Sequence, residues 1–326
     1  MKTICILVPE CSVMQAIADP RYLFSTVNQF YISAGKAPLF DIQLVGVTKE
    51  VELNGGIFKV NTDKRLDEIS LPNLIIIPAL FGDMQSAIDA NSELIPWIKE
   101  QYADGSEVAS LCVGAFLLAS TGLLNGKKCS THWGFQNEFR EMFPEVYVVD
   151  GNIITEEGKL YSSGGANSYW NLLLLLVEKY TDRETAVLAS KYFAIDIDRQ
   201  TQNTFAIFKG QKNHTDADIK KAQLHIEANF QDKIGVDDLA SLVSVGRRSF
   251  ERRFKQVTNN TVLEYIQRVK IEAAKRLFEQ SRKNITEVMF DVGYTDTKAF
   301  RTIFKKITGL TPIEYRNKYN KIAIGV

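Results

Sequence analysis

The sequence predicts two domains: an α/β domain with a mainly parallel sheet over residues 1–208, and an all-α domain of paired helix-turn-helix units over 217–326. Three observations carry this. Short apolar runs alternate with helical patterns in the first two-thirds of the chain. That alternation lapses at Lys209-Gly-Gln-Lys-Asn-His-Thr-Asp216, which marks a linker over 209–216. Beyond it, a motif recurs at a fixed offset in a purely helical background.

The strand-like runs are Ile4–Val8, Ile42–Val47, Leu74–Ile77 and Val108–Leu111. They are short and apolar, as in strands covered on both faces. Between them lie helical patterns such as Arg21–Ala34 and Ser92–Ala103, so the connections are of the βαβ kind that builds parallel sheets. Turns are signalled at Asn54-Gly-Gly56, Asn125-Gly126 and Gly164-Gly165.

In the tail, helices are expected over Ala217–Asn229, Val236–Val243, Arg247–Val257, Val262–Gln280, Thr286–Asp291, Thr297–Ile307 and Pro312–Tyr319, with a strand-like run at the extreme C-terminus. Phe250, Phe254, Lys255, Thr258, Thr261, Glu264 and Tyr265 recur fifty residues later as Phe300, Phe304, Lys305, Thr308, Thr311, Glu314 and Tyr315. Seven identities at one offset indicate two copies of one supersecondary unit. The paired phenylalanines sit four residues apart and form one buried stripe on a helix. Asn284 with Glu287 reads as a capping box, Gly246 and Asp296 as N-caps, and Gly309 as a left-handed helix stop followed by Pro312.

Charge separates the halves. Residues 1–212 hold 18 Lys and Arg against 25 Asp and Glu, a net of −7, whereas 213–326 hold 21 against 14, a net of +7. A basic helical domain fits a polyanion. With Phe250 and Phe254 inward, Arg247, Arg248, Glu251 and Arg252 turn outward or to the flank, and Thr297, Lys298, Arg301 and Thr302 do so in the second copy. Arginine bonds guanine edges bidentately, while lysine and threonine contact phosphates or bases. The expected partner is double-stranded DNA, read by two helices joined through Val262–Gln280, about 28 Å long at 1.5 Å per residue. The tail from residue 213 onward is expected to fold and bind DNA by itself.

Residues Gly235–Arg316 resemble the AraC/XylS helix-turn-helix module, most closely over Val292–Arg316. The resemblance implies DNA-facing roles for Arg248, Glu251, Arg252, Thr297, Lys298, Arg301 and Thr302. Met289 departs from it, standing where the family often has Ala.

In the N-terminal domain, Val108-Ala-Ser-Leu-Cys-Val-Gly-Ala-Phe-Leu-Leu-Ala119 reads as strand, tight turn and helix, with Cys112 at the turn. A helix N-terminus there is expected to lower the thiol pKa, as in a nucleophile elbow. Thr131-His-Trp133 follows and brings His132 as a base candidate. The stretches Leu111–Phe116, Gly122–Lys127, Thr131–Trp133 and Tyr161–Ala166 resemble the class I glutamine amidotransferase-like superfamily, most nearly the GlxA-type regulators that fuse this domain to an AraC module. Isonitrile hydratase is an enzymatic relative. The resemblance implies a flavodoxin-like doubly wound parallel sheet with the elbow at the strand carboxyl ends.

Two positions depart from the enzymatic pattern. Val113 stands where peptidase-like relatives place His, and Gln15 where relatives place an acid, with Glu10 nearby. Cys112 and His132 are therefore read as vestigial, and no residue is assigned to catalysis. Glu10, Gln15, Cys112, Val113 and His132 become candidates for an effector pocket. The expected function is a sequence-specific transcriptional regulator gated by a small molecule or by oligomerisation. The alternative is a Cys112-dependent amidase or hydratase. A homodimer and RNA polymerase are the further partners expected. Cys5, Cys11, Cys112 and Cys129 show no zinc spacing, so neither metal nor cofactor is expected, and the cysteines are expected to stay reduced. The longest uniformly apolar run, Leu172–Val177, is far short of a spanning helix, which places the chain in the cytoplasm with no membrane contact.

Overall fold

The computed structural model describes residues 1–197, 199 and 201–320, so the expected C-terminal strand lies outside the described residues. The chain divides into two compact units, Met1–Gln202 and Asn203–Val326.

The first unit is built on eleven strands: β1 (Lys2–Leu7), β2 (Phe40–Gly46), β3 (Glu50–Leu53), β4 (Phe58–Asn61), β5 (Lys64–Arg65), β6 (Leu74–Ile77), β7 (Glu107–Ser110), β8 (Lys128–Cys129), β9 (Tyr147–Val148), β10 (Ile154–Glu157) and β11 (Leu160–Ser163). Its helices are α1 (Met14–Ser33), α2 (Met84–Ala90), α3 (Leu94–Asp104), α4 (Ala115–Ser120), α5 (Gln136–Met142), α6 (Tyr169–Tyr180) and α7 (Arg183–Phe193). Seven strands form one sheet in the order β10-β11-β7-β6-β1-β2-β5. Every pairing in it is parallel except β10–β11. This is the doubly wound, flavodoxin-like sheet. Its central strand β6 is apolar throughout because helices cover both faces: Leu74, Ile75, Ile76 and Ile77 are all fully buried.

Helix α1 starts at Met14, seven residues before the expected start at Arg21. Pro20 lies inside it and forfeits one backbone bond. The stripe Ala16, Ile17, Pro20, Leu23, Phe24 and Val27 is buried, and that burial outweighs the lost bond. The short hairpin β3–β4 and the antiparallel edge strand β10 lie outside the four expected runs.

The second unit contains α8 (Ala217–Ala228), α9 (Val236–Leu242), α10 (Arg247–Thr258), α11 (Val262–Gln280), α12 (Ile285–Asp291), α13 (Thr297–Thr308) and α14 (Pro312–Tyr319). Each falls within two residues of its expected span. Two separate cores are built on the two halves of α11, one on its N-terminal half with Phe250, Phe254 and Tyr265, the other on its C-terminal half with Phe300, Phe304 and Tyr315. The sequence repeat is a geometric one. The ring pairs Phe250–Phe254 and Phe300–Phe304 are both 5.7 Å apart, at 56° and 54°. Tyr265 meets Phe254 edge-on at 5.3 Å and Tyr315 meets Phe304 at 5.5 Å. Thr261 and Thr311 each close a capping box with Glu264 and Glu314. Asn284 and Asp296 cap α12 and α13 as expected, and Gly309 is left-handed at φ 78°.

The linker expected at 209–216 is not the place where the chain divides; the division lies at Gln202. Segment 209–216 is polar enough to read as a linker, yet it and the more apolar stretch 203–208 before it are bonded at several points within the second unit. Thr204 donates its hydroxyl to the Thr308 carbonyl at 3.1 Å, and the Phe208 amide donates to Glu272 at 3.1 Å. Gln223 donates to the Gln211 carbonyl at 2.8 Å, and Lys212 pairs with Glu227 at 2.6 Å. His214 bonds Gln223 at 3.0 Å, and Asp216 caps α8. With this boundary the second unit carries 23 Lys and Arg against 14 Asp and Glu, a net of +9.

A fragment beginning at Asn203 is therefore expected to unfold in urea as a single transition. One beginning at Asn213 should be less stable by about 1–3 kcal/mol, since it removes the partners of Glu272 and Lys275 and leaves those buried charges unsatisfied. Equal midpoints for the two fragments would contradict this boundary.

Candidate nucleic-acid interface and elbow site

Helices α10 and α13 are each oriented by an aromatic stripe. On α10, Phe250 and Phe254 are fully buried, which leaves Arg247, Arg248 and Arg252 exposed and Glu251 half-buried. On α13, Phe300 and Phe304 are buried, and Thr297, Lys298, Arg301 and Thr302 are exposed. All eight sequence-predicted residues thus lie on the open flank of these two helices, or at its edge.

They are not equally free. Arg247 pairs with Asp237 at 2.9 Å and with Glu251 at 3.6 Å, so two of the eight engage each other. Arg253, basic like its neighbours, grips Asp216 at 2.6 and 2.8 Å and Asp218 at 2.9 Å. Those bonds hold the Asp216 carboxyl below its ordinary pKa. Arg253 thus ties α10 to α8 and is spent on structure. Among the described residues, Arg248, Arg252, Lys298 and Arg301 have no ion-pair partner.

The N-terminal elbow has the expected shape but not the expected thiol. Cys112 follows β7 with φ 56°, a left-handed conformation unusual for a side chain with a Cβ. Its amide donates to Ser163 Oγ at 3.1 Å, and its carbonyl accepts the Thr131 hydroxyl at 3.2 Å. Two residues on, Gly114 lies so close to the Ile77 and Pro78 carbonyl oxygens that a Cβ there would collide with both. The thiol is only 5% exposed. Burial pushes its pKa up to about 12, and the Val113 amide beside it offsets only part of this. The sequence expectation of a lowered thiol pKa is corrected: desolvation exceeds the pull of the helix terminus.

His132 does not serve the thiol. Its Nδ1 accepts the Gly134 amide at 3.0 Å, and its ring lies against Trp133 and Phe135 at 5.2 and 5.7 Å. Burial lowers its pKa, which keeps it neutral. Val113 is buried beside the cysteine. Glu10 and Gln15 are exposed, and the Glu10 backbone is pinned by the Asn91 side chain.

Two residues of this region were not singled out from the sequence. Asp19, one helical turn past Gln15, accepts the Tyr169 hydroxyl at 2.6 Å and the Trp170 indole N–H at 3.1 Å. Burial, the bond to Asp19 and the nearness of Cys112 all hold the Tyr169 phenol protonated. The i, i+4 relation to Gln15 is the signal that would have found Asp19. Gln202 is buried; its side chain donates to the Thr131 carbonyl at 3.0 Å and accepts from the Gly165 amide at 2.8 Å and the Trp133 amide at 3.3 Å. No local pattern marks it, because its partners lie far away in sequence. Among the described residues no cluster of three His, Cys, Asp or Glu could hold a metal ion, and no helix is long and apolar enough to cross a membrane.

Comparison with known proteins agrees with both domains. Residues 32–179 match the DJ-1/PfpI family, and residues 239–318 match a helix-turn-helix domain. The chain is a DNA-binding transcriptional regulator in which a DJ-1/PfpI, glutamine amidotransferase-like domain precedes an AraC-type helix-turn-helix domain. It is 27% identical over 222 residues to the HTH-type transcriptional regulator ArgR of Pseudomonas aeruginosa, covering 68% of this chain and 67% of that one. With the HTH-type transcriptional regulator GlxA of Rhizobium meliloti it shares 24% over 225 residues, 66% of each chain. A crystal structure of a protein assigned as a transcriptional regulator from Vibrio parahaemolyticus superposes with a TM-score of 0.52 at 25% identity, covering 59% of this chain and 98% of that one.

The buried thiols have a pH signature. Cys5, Cys112 and Cys129 are each raised to about 12 from an ordinary value of 9.0. A raised folded pKa contributes stability below the unfolded value and loses it as pH climbs toward the folded one. From these groups, the stability of residues 1–202 is expected to be level between about pH 7 and 8.5 and to fall above about pH 9. Chemical denaturation of the wild type and of Cys112→Ser across that range checks this, and the variant should fall less steeply.

Proposed function

We propose that this regulator reads DNA with α10 and α13, through Arg248 and Arg252 on the first and Thr297, Lys298, Arg301 and Thr302 on the second. Arg247 and Glu251 flank the reading face and act partly through each other. The observation that carries the proposal is the duplicated Phe–Phe–Tyr packing, which turns unpaired basic residues outward on two helices joined by one rigid helix. The two copies differ in chemistry. The guanidinium groups of Arg248 and Arg252 suit bidentate reading of guanine, while lysine and hydroxyls of α13 suit phosphate and mixed contacts.

The N-terminal domain is proposed as the sensing and dimerising half, with a small-molecule effector bound beside the elbow, near Cys112, Val113 and His132. Asp19 and Gln202 are better placed there than Glu10 and Gln15. Work by Cys112 as a nucleophile is opposed by its protonated, buried thiol and by the commitment of His132 Nδ1 to Gly134, so the domain is read as non-enzymatic. The chain would work in the cytoplasm, as a homodimer on DNA, with RNA polymerase as its downstream partner.

Arg248→Ala and Arg252→Ala are each expected to lower affinity for a selected site at least about tenfold, within the 1–3 kcal/mol of one bidentate base contact, and to relax preference at one half-site. Lys305→Ala should instead lower the salt slope by about 0.9 and weaken matched and scrambled duplexes alike. Binding to both duplexes over a salt series distinguishes these. Wild-type binding by both arginine variants would rule out α10 as the reader. Cys112→Ser should leave DNA binding intact; a catalytic turnover present in the wild type and lost in this variant would sink the non-enzymatic reading.

A further inference from the structure

Helix α11 carries three charged residues that are almost wholly buried: Lys270 at 8% exposure, Glu272 at 7% and Lys275 at 4%. Buried charges are costly and persist only where every bond is supplied. Each of these is supplied by a segment outside the helix. Lys270 donates to the Gly293 carbonyl at 3.1 Å and to the Asp232 carbonyl at 3.3 Å. Asp232 lies in the turn that precedes α9, and Gly293 in the turn that precedes α13. One ammonium group therefore ties the turn that leads into the first helix-turn-helix unit to the turn within the second. Its site is closely fitted: Gly293 has φ 72°, and a Cβ there would collide with the Gln231 carbonyl and with Lys270 itself. The Lys270 ammonium also lies over the Tyr294 ring at 5.6 Å.

The other two charges hold the stretch of chain that follows Gln202. Lys275 donates to the Ala206 carbonyl at 2.6 Å and to Glu272 at 2.8 Å, and Glu272 accepts the Phe208 amide. This stretch lies against both lobes. At one end Thr204 is bonded to the Thr308 carbonyl, at the terminus of α13. Further along, Phe208 packs edge-on against Tyr265 at 5.1 Å, in the core of the first lobe. Gly210 then passes so close to the Tyr265 hydroxyl that no Cβ would fit. Residues 203–212 thus form a strap alongside α11, fastened to each lobe.

We infer that Lys270 and the strap 203–212 act as a splint that fixes the placement of α10 relative to α13, and thereby sets the half-site spacing the protein accepts. The inference rests on the proposed reading of DNA by both helices. Lys270, Thr204 and Lys275 are positioning residues; none is among the DNA-facing groups. Inserting one base pair rotates a half-site by roughly 35° about the duplex axis. A rigid pair of readers must then give up one set of contacts or deform the DNA, whereas a loosened pair can follow.

The test uses the full-length chain and duplexes that the wild type recovers from a random-sequence library. Affinity is measured for each recovered duplex, for derivatives with one or two base pairs inserted between the half-sites, and for derivatives with either half scrambled. The wild type should lose at least about tenfold on a two-base-pair insertion, the scale of a lost specific contact. Lys270→Met keeps the apolar stem and removes the two carbonyl ties, and Thr204→Val removes one tie at the far end. Both should shrink the insertion penalty to below about threefold, with affinity for half-scrambled duplexes within about twofold of wild type. A merely destabilising substitution would weaken all duplexes in proportion and leave the spacing profile intact. If Lys270→Met does not fold by circular dichroism, Thr204→Val decides the outcome. An unchanged penalty in the folded variants overturns the splint while leaving both readers in place. A wild type that loses nothing when one half is scrambled overturns the two-reader proposal, and the splint with it.

Discussion

The second unit depends on one repeated packing constraint. A helix that buries two phenylalanines one turn apart has no freedom to rotate, because burying each ring is worth about 1.5–3 kcal/mol and turning the helix would expose both. Phe250 with Phe254, and Phe300 with Phe304, set the rotation of α10 and α13 in this way, and Tyr265 and Tyr315 close each ring cluster from the next helix. The phenol of each tyrosine then reaches a glutamate on a third helix, Glu227 at 2.8 Å and Glu279 at 2.5 Å. Each lobe is thus locked by one apolar contact and one polar one. Everything that faces outward, including the unpaired arginines, follows from what had to face in.

The first unit answers to a different constraint, the lack of space at the strand-to-helix turn. Because Gly114 lies against the Ile77 and Pro78 carbonyls, the chain must turn sharply there, and the left-handed backbone of Cys112 is part of that turn. The geometry serves an exposed nucleophile in enzymes and a buried, protonated thiol here. What differs is the surroundings. Ser163, Thr131 and Gln202 bind backbone atoms of the turn and its neighbours, and His132 gives its Nδ1 to the Gly134 amide. Fold and turn are shared with an enzyme-related superfamily, while burial at this turn holds the thiol in its protonated form.

Much of this was legible in the sequence where the determining contacts are local. Helical caps, the four-residue spacing of the phenylalanines and the fifty-residue repeat located all seven tail helices within two residues. The central strands β1, β2, β6 and β7 were legible for the same reason, as short apolar runs. Contacts between distant segments were not. Arg253 looks like its basic neighbours until Asp216 and Asp218 are folded onto it. The thiol of Cys112 could be placed at a helix start, but its burial depends on packing that no local pattern reveals. Residues 209–216 have linker composition, and the buried charges of α11 are met by backbone atoms of Ala206 and Phe208, so composition alone cannot reveal the strap. Asp19 falls in the part of α1 that precedes the expected start at Arg21, and its partners Tyr169 and Trp170 lie far away in sequence.

The strap also bears on how such a regulator exchanges parts. Fused regulators are commonly pictured as modules on a tether, with a join that tolerates cutting and lengthening. In this chain the tether has been absorbed into the module that follows it: Gln202 is the last residue seated in the first unit, and Thr204 is already bonded within the second. A chimera joined anywhere between 209 and 216 would carry a foreign strap across α11 and leave Glu272 and Lys275 facing the wrong backbone. Productive recombination is confined to the peptide between Gln202 and Asn203, and a helix-turn-helix domain inherited by a new sensor has to bring its own leader with it.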